Sequence, residues 1–500
     1  MAELKNKNIK MGVKEMKKFS LILLSLFVLI LAACSDSGDT ATEPEKTEEG
    51  KTVIKVVFKD DGPSNPEAVK FYDALEVALK EDKDLDVEFE LVEVAQGSYA
   101  EKLNLLLYSG EIPDLIYFQG GDEQIASQDL LEDLTPYIEK SENLKNILQP
   151  HNKTRLENYP YLLWVKNIDN KVPVVRTDFL EQTESGKTLV QDPTVENYTK
   201  FFEELVAKGL TENAVTVAGD IVELDFIFNN AFGVTTSWAK QDGSYVYKKV
   251  TEAEKNKLKF YSELYAKGLL DNQYLTKEWD TKEDAFYNNK TAVVVGTNGK
   301  VVDFYNSRQK EVNGDTAALT VLPPAKGEAQ GYGATSVTKE TRGLAISSQS
   351  PNKDLVFEIL DYLASPNGLK LDSLGYEGTH YTLNGDTVEL TPDYYANWYA
   401  RYWEPVGADF GVKISDSTPL LSAPAQASQD AVKQYYFADN NFAIPTEQIS
   451  NWDAMENLYK EYAADIITGK KSIEAFDEFV TKWNAAGGEQ LTKYANDTIK

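Results

Sequence analysis

The chain has 500 residues, and its 51 Lys and Arg against 80 Asp and Glu give a formal net charge of −29. So acidic a protein is a poor candidate for binding nucleic acid or anionic lipid through its surface. With one cysteine and two histidines, the sequence excludes a disulfide framework and a thiol nucleophile, and it leaves little for a zinc site.

The amino-terminal segment has the three parts of a secretory signal. A basic flank ends at Lys18, an apolar run with small residues at its end covers 19–33, and Cys34 follows. The run is about 15 residues long, shorter than the ~20 that an apolar helix needs to span a bilayer. We therefore predict a lipoprotein signal peptide over residues 1–33.

The sequence Leu-Ala-Ala-Cys at 31–34 resembles the bacterial lipobox, in which the cysteine carries acyl chains and becomes the mature N-terminus. Two acyl chains hold a protein stably at a membrane where one would not. The alternative is a plain membrane anchor with an incidental cysteine. Residues 34–51 are polar and acidic, so we predict a disordered tether between Cys34 and the folded body.

The first folded stretch alternates strand and helix patterns. Apolar and β-branched residues predict strands at 52–58, 86–94 and 113–118, and helical periodicity predicts helices at 63–80 and 98–110. This βαβαβ order predicts a parallel sheet with right-handed crossovers.

Helices with capping residues follow. Thr194 and Thr251 are expected N-caps, and Ser350 is expected to cap a helix whose first residue is Pro351. The remaining predicted elements are strands at 291–296 and 318–323 and a C-terminal helix that buries Phe476, Phe479, Val480 and Trp483.

A set of segments between residues 53 and 495 occurs in a characteristic order. The set includes EKLNLLLYSGEIPDLIYF, VVRTDFLEQ, FYNNKTAVVVGTNG and GLAISSQSPNKDLVFEILDYLASPNG. In this order the segments resemble the extracellular solute-binding proteins of family 1, the maltose-binding-protein-like lipoproteins that serve ABC sugar importers. IITGKKSIEAFDEFVTKWNAAGGEQL closes the chain as the long oligosaccharide-binding lipoproteins of that family close.

The resemblance implies an α/β, periplasmic-binding-protein-like fold, with two α/β lobes joined by a hinge and a ligand cleft between them. One lobe would take residues 52–172 and 345–390, and the other would take 173–344 and 391–500. Ligand binding would close the lobes by hinge motion.

The resemblance also implies a function. The protein would be a monomeric receptor, anchored through Cys34 on the extracellular face of a Gram-positive cell membrane, that passes an oligosaccharide to ABC permease subunits. It would be no enzyme and need no cofactor. Many long relatives carry a calcium loop, but the corresponding segment AKGLTENAVTVAGDIVELD lacks the alternating Asp and Asn ligands, so we predict no metal site there.

In open α/β sheets, ligands lie beyond the carboxyl ends of the strands. The loops at 118–124 and 296–299 follow predicted strands and are expected cleft walls. For these loops the alternative is a turn made by Gly120 and Gly121, or by Asn-Gly at 298–299. The ligand-binding candidates there are Phe118, Gln119, Asp122 and Asn298.

Aromatic residues are densest in NWYARYWEPVGADFG (397–411). Trp398 and Trp403 would stack on sugar rings and Arg401 would donate to hydroxyls or to a carboxylate. The alternative is an amphipathic helix whose aromatic side chains pack in the core. Tyr99, Trp238, Trp279 and Tyr376 are further candidates; Arg176 either orients ligand or pairs with Asp178.

Other functions stay open at this point. A glycoside hydrolase or lyase needs only two carboxylates across a sugar bond, and abundant Asp and Glu do not exclude it. An adhesive surface protein would show repeats, and the sequence has none. The scarcity of arginine favours a neutral glycan, whereas Arg176 and Arg401 leave uronates open.

Overall fold

The computed structural model describes residues 43–94, 99–110, 112–404 and 409–499. The chain divides into two compact units, Met1–Val53 and Ile54–Lys500. The predicted signal peptide and Cys34 lie outside the described residues. Within the described ranges, no helix is long and apolar enough to cross a membrane.

Residues 43–53 of the first unit contain a tight turn. The backbone N–H of Thr47 donates to the carbonyl of Lys51 at 2.9 Å, and Lys46 pairs with Thr52 in an antiparallel bridge. These hydrogen bonds differ from the disorder expected for the last residues of 34–51, and the tether stays a prediction.

Strands and helices alternate from Thr52 onwards. The strands are β1 Thr52–Val57, β2 Val87–Leu91, β3 Leu115–Gln119, β4 Lys171–Arg176, β5 Asn213–Val215, β6 Trp238–Gln241, β7 Ser244–Tyr247, β8 Thr291–Thr297, β9 Leu319–Val321, β10 Arg342–Ile346, β11 Tyr381–Asn384, β12 Thr387–Leu390 and β13 Lys413–Ile414. The helices of eight or more residues are Pro66–Lys83, Tyr99–Tyr108, Pro150–Asn158, Glu184–Gln191, Val195–Ala207, Glu252–Ala266, Trp279–Tyr287, Lys300–Asn313, Lys353–Leu363, Pro366–Leu374, Ala423–Tyr435, Ile449–Ile467, Ala475–Trp483 and Glu489–Thr498. Shorter α-helices cover Glu123–Ala126, Thr135–Ile138, Glu142–Ile147, Thr177–Glu181, Val222–Phe228 and Pro392–Asn397.

Four strands form the first large sheet, in the order β10-β3-β1-β2. β1 and β3 run parallel, with Val56 opposite Leu115, and β10 joins antiparallel, with Leu344 opposite Tyr117. The predicted parallel pairing is confirmed for β1 and β3. The antiparallel strand β10 comes from a much later part of the chain.

The second large sheet has the order β5-β8-β4-β9. β5 and β8 are parallel, and β4 lies antiparallel to both β8 and β9. Val174 and Val175 are neighbours on β4 and face opposite sides of the sheet, so each belongs to a different hydrophobic cluster. Both faces of this sheet are therefore covered, which explains why β8 reads as the continuous apolar run TAVVV.

The hydrophobic core of the first sheet extends further along the chain than expected. Tyr394, Trp398, Tyr402, Trp403 and Phe410 all pack in the cluster that also contains the strand residues of β1 and β3. The expected boundary at residue 390 therefore differs from the packing: the chain stays on the first core at least to Phe410, because its aromatic side chains are buried there.

The chain passes three times between the two cores. The first passage separates Val165, in the first core, from Val172 on the second sheet. The second runs back between Tyr332 and Leu344, and the third runs between Leu420 and Ala425. These passages place two α/β cores next to each other, as the resemblance implied.

Capping residues set several helix starts. The Thr194 and Thr251 hydroxyls accept the backbone N–H groups of Asn197 and Glu254, which confirms both N-caps. The expectation for Ser350 is wrong, because the helix begins at Lys353, after Asn352.

Ser350 instead stabilises the turn that precedes this helix. Its hydroxyl accepts the N–H of Asn352 at 2.9 Å and donates to a carboxylate oxygen of Asp114.

Candidate functional site

Two adjoining cavities open in the second unit. Their volumes are about 720 Å³ and 480 Å³; below they are the larger and the smaller cavity. The larger cavity is lined from Gln119, where β3 ends, and from Thr297, where β8 ends. A position at the carboxyl ends of strands is where α/β sheets bind ligands. The residues that line both cavities are Asp169, Thr297, Val301, Trp398, Tyr399, Ala400 and Glu404.

Aromatic rings form one wall of the larger cavity. The rings of Phe58 and Tyr117 stack with centroids 4.3 Å apart and 5° between their planes, and Trp164 lies 5.2 Å from Tyr117. Tyr399 lines both cavities and is 48% exposed, so its ring is available to a ligand. Aromatic faces next to polar groups suit molecules that have both apolar C–H faces and hydroxyls.

A buried ionic cluster lies where two passages between the cores meet. The Lys166 ammonium lies 2.9 Å from Asp169 and 3.3 Å from Glu340. Burial alone would lower the pKa of Lys166, but Asp169, Glu340 and Glu404 together raise it above its usual value. The first and second passages are thus joined by charge pairs.

Glu404 joins this cluster from a third direction. Its carboxylate accepts the backbone N–H of Asn167 at 2.9 Å. Burial is the main cause that raises the pKa of Glu404 to about 7; the charge of Lys166 opposes the rise and that of Asp169 adds to it. Near neutral pH the protonated and the ionised form of this carboxyl are therefore both populated.

Arg401 faces the larger cavity beside a carboxylate. Its Nε lies 3.2 Å from Oδ2 of Asp61, and its guanidinium lies 4.9 Å from the centre of the Phe71 ring. Burial raises the pKa of Asp61, and Arg401 opposes that shift. The pair presents donors and an acceptor side by side.

The Asp372 carboxylate binds the backbone of the loop that carries Arg401. The backbone N–H groups of Arg401, Tyr402 and Trp403 all donate to this carboxylate, at 2.9–3.0 Å. Burial raises the pKa of Asp372 to about 6 in spite of these donors. The three hydrogen bonds fix the direction in which each of the three side chains leaves the backbone.

Four of the predicted binding residues line the cavities: Gln119, Asn298, Trp398 and Arg401. The Asn298 side chain also accepts the backbone N–H of Asn170 at 3.0 Å, so it holds the first passage against β8. Trp398 is only 4% exposed and donates its indole N–H to the carbonyl of Asp372. It therefore forms a wall more than a stacking surface.

Three predicted binding residues lie in the hydrophobic cores. Phe118 is fully buried, Trp403 is 1% exposed and Trp238 is 3% exposed. Side chains alternate along a strand, so Tyr117 and Gln119 reach the cavity while Phe118 points to the opposite face. The expectation that these three contact ligand differs from the structure, because packing removes their rings from the cavity surface.

Two polar candidates also line neither cavity. Asp122 is buried and accepts the Tyr161 hydroxyl at 3.0 Å. The Arg176 guanidinium binds Asp178 through Nε at 2.9 Å and Asn289 through Nη1 at 2.8 Å. Gly120 and Gly121 have φ values of 86° and 79°, so the alternative of a tight turn after β3 is also present in the structure.

The remaining three aromatic candidates lie outside both cavity linings as well. The Tyr99 hydroxyl donates to the carbonyl of Tyr117 at 2.7 Å, from beneath the aromatic wall. The Tyr376 ring packs on Trp398, 5.2 Å between centroids. Trp279 is 39% exposed, and the Lys282 ammonium lies 3.4 Å from the centre of its ring.

Several cavity residues have no place in the sequence prediction. Asp61, Trp164, Lys166, Asp169 and Tyr399 line one or both cavities. Tyr399 and Glu404 lie within the aromatic segment 397–411, and the composition of that segment is the signal that points to them. The other residues gave no local signal, because they come from loops that only the fold brings together.

A family model described as bacterial extracellular solute-binding protein matches residues 77–398, more than half of the chain. Lipoprotein LipO of Bacillus subtilis is 21% identical over 97% of this chain and 99% of its own. The fructooligosaccharide ABC transporter substrate-binding protein FusA of Streptococcus pneumoniae is 23% identical over 83% of each chain. The crystal structure of the alginate-binding protein AlgQ2 without calcium ion superposes with a TM-score of 0.65 at 15% identity, over 89% of this chain and 97% of that one.

Proposed function

The chain belongs to the bacterial extracellular solute-binding proteins, and on this premise we propose that it captures an oligosaccharide and delivers it to an ABC importer. The observation that carries the proposal is the pair of adjoining cavities at the carboxyl ends of strands from two sheets, with an aromatic wall and charge-paired donors. Relatives named for sugar transport, such as FusA, support it.

The proposed capture uses closure of two lobes. The first lobe is built on the sheet β10-β3-β1-β2 and the second on β5-β8-β4-β9. The three passages between the cores act as the hinge, and the pair of Lys166 with Glu340 links two of them. Closure brings both lobes onto the ligand and excludes water, which strengthens each hydrogen bond.

Tyr399 is proposed as the stacking surface that both cavities share. Its ring is exposed, whereas Trp398 and Trp403 are buried. A ligand of several sugar units would extend from one cavity into the other across this ring. The prediction of a binding segment at 397–411 is retained in this form, with the tyrosine in place of the two tryptophans.

The proposed location is the extracellular face of the cell membrane, with Cys34 as the lipid-modified residue. The support is the lipobox-like sequence at 31–34 and the similarity to a lipoprotein over nearly the whole chain. Metabolic labelling with a palmitate analogue should mark the natural chain. A Cys34→Ser variant should carry no label and should leave the membrane fraction; labelling that persists would contradict the anchor.

The test of capture is thermal unfolding of the chain from residue 35 onwards with a panel of oligosaccharides. A ligand at ~100 times its Kd stabilises the folded state by about 2.7 kcal/mol. We expect one glycan class to raise Tm and to be recovered intact. The matched variant Tyr399→Ala should keep the Tm of the free protein and lose most of the ligand-induced rise, because its ring is exposed.

Two results would contradict the proposal. No rise in Tm with any sugar would exclude oligosaccharide capture. Recovery of cleaved product would favour the alternative of a glycan-active hydrolase or lyase, which uses two carboxylates placed across a sugar bond.

A further inference from the structure

The charges around the larger cavity bear on which glycan enters it. Three of its cations are at least partly buried, and each has a carboxylate of the same chain as partner. The pairs are Lys166 with Asp169 at 2.9 Å, Arg342 with Glu340 at 3.3 Å and Arg401 with Asp61 at 3.2 Å. A ligand carboxylate that approached one of these cations would meet the partner carboxylate beside it, and that partner offsets the positive charge.

The remaining cations are weak attractors. Lys59 and Lys70 line the same cavity but are exposed at its rim, where water and salt screen their charge. In the smaller cavity, the Lys300 ammonium lies 3.5 Å from Asp303 and 3.7 Å from the centre of the Tyr394 ring. The cavities therefore offer a ligand anion no buried cation, among the residues described, that lacks an acidic neighbour.

Carboxylates also line the larger cavity directly. Asp61, Asp169 and Glu404 lie in its wall, and Asp60 and Glu67 are exposed at its edge. Because Asp61 and Asp169 offset the charges of Arg401 and Lys166, the wall has no excess positive charge that would attract a uronate. A sugar that carries only hydroxyls would meet acceptors.

Two buried polar atoms in this wall have no hydrogen-bond partner within the described part of the chain. They are the indole N–H of Trp164, a donor, and Oδ1 of Asp169, an acceptor. A hydroxyl group can accept from one and donate to the other, whereas an ionised carboxylate can only accept. The pair of one donor and one acceptor therefore suits a hydroxyl better than a carboxylate.

We infer that the cleft selects uncharged oligosaccharides and rejects those with uronate carboxylates, an inference that rests on the proposed function. Relatives named for fructooligosaccharide and for alginate match this chain at low identity, so similarity alone does not choose between neutral and acidic glycans. The choice follows from the pairing of the cavity's own cations.

The test uses pairs of tetrasaccharides that differ only in whether C6 carries a hydroxyl or a carboxylate, in the gluco, galacto and manno series. Isothermal titration measures both members of each pair. At least one neutral member should bind, and its uronate counterpart should bind at least ~10-fold more weakly. Asp61→Asn removes the carboxylate partner of Arg401, and in this variant the ratio of uronate Kd to neutral Kd should fall ~10-fold or more.

The control variant is Asp178→Asn. It removes one carboxylate and frees one arginine, as Asp61→Asn does, but Asp178 and Arg176 line neither cavity. In Asp178→Asn, the ratio of uronate Kd to neutral Kd should equal that of the natural protein. The Tm of both variants, measured without ligand, shows that they are folded.

The outcomes separate the inference from the function. A uronate that binds the natural protein as tightly as its neutral counterpart would overturn the inference and leave oligosaccharide capture standing. If Asp61→Asn did not reduce the difference in affinity between neutral and uronate ligands, the role of the Arg401 pair would be overturned. The same holds if Asp178→Asn reduced that difference equally. If no member of any pair binds, the proposed function fails together with the inference.

Discussion

Two arginine–aspartate pairs of similar burial have different places in this molecule. Arg176 pairs with Asp178, two residues away, at the end of β4, and the pair lines neither cavity. Arg401 pairs with Asp61, 340 residues away, in the wall of the larger cavity.

The difference teaches which ion pairs a sequence shows. The pairing of Arg176 with Asp178 was one of two interpretations that the sequence offered, because the partners are neighbours along the chain. The partner of Arg401 is invisible without the fold, and this hidden partner changes the chemistry. A lone arginine in a cleft would attract uronates, whereas a paired arginine presents donors and acceptors to hydroxyls.

The largest expected effect is a difference in ligand affinity between Arg401→Ala and Arg176→Ala. For the oligosaccharide that raises Tm, Arg401→Ala should cost about 2–4 kcal/mol of binding free energy, which raises Kd at least ~30-fold. The substitution removes a donor and leaves Asp61 buried and unpaired. Arg176→Ala should change affinity less than about twofold. Isothermal titration measures both.

The control for this comparison is the Tm of each variant without ligand. Both variants leave a partly buried aspartate unpaired, so both should be less stable than the natural protein. If Arg176→Ala weakened binding as much as Arg401→Ala, the contrast between a structural pair and a binding pair would be lost.

A second prediction concerns the pH dependence of stability that Glu404 confers. Its carboxyl titrates at about 7 in the folded chain and at about 4.5 when unfolded. Between these values the folded chain keeps a proton that the unfolded chain has released, so the free energy of unfolding falls as pH rises, by about 3 kcal/mol in total.

Glu404→Gln removes this titration. From pH 5 to pH 8, the Tm of the natural protein should therefore fall more than that of the variant. Thermal unfolding at several pH values measures the difference. Parallel curves for the two proteins would show that burial does not raise the pKa of Glu404 in the folded chain.

The smallest expected effect is local. Thr251→Ala removes the hydroxyl that caps the helix Glu252–Ala266 and should lower the free energy of unfolding by about 1 kcal/mol. Denaturant titration measures it, and Thr251→Ser should recover most of the loss. Ligand affinity should not change; a change would show that this distant cap affects the cleft.

The aromatic segment 397–411 shows where local reasoning stops. Its composition draws attention to a segment of which Trp398, Tyr399 and Arg401 line the larger cavity. Composition alone does not decide which ring faces the ligand. That depends on Asp372, which binds three consecutive backbone N–H groups and so turns Tyr402 and Trp403 into the core.

The sequence by itself determined the alternation of strands and helices, the caps at Thr194 and Thr251 and the local pair of Arg176 with Asp178. These depend on residues close together in the chain, whose contacts follow from spacing and backbone geometry. Only the tertiary structure decided which residues meet in the cavities, the end of the first core at or beyond Phe410, and the neutralisation of Arg401 by Asp61. The physical reason is that burial and charge pairing depend on distances in space. The three passages of the chain between the two cores bring together residues that are far apart in the sequence, and no local pattern shows this.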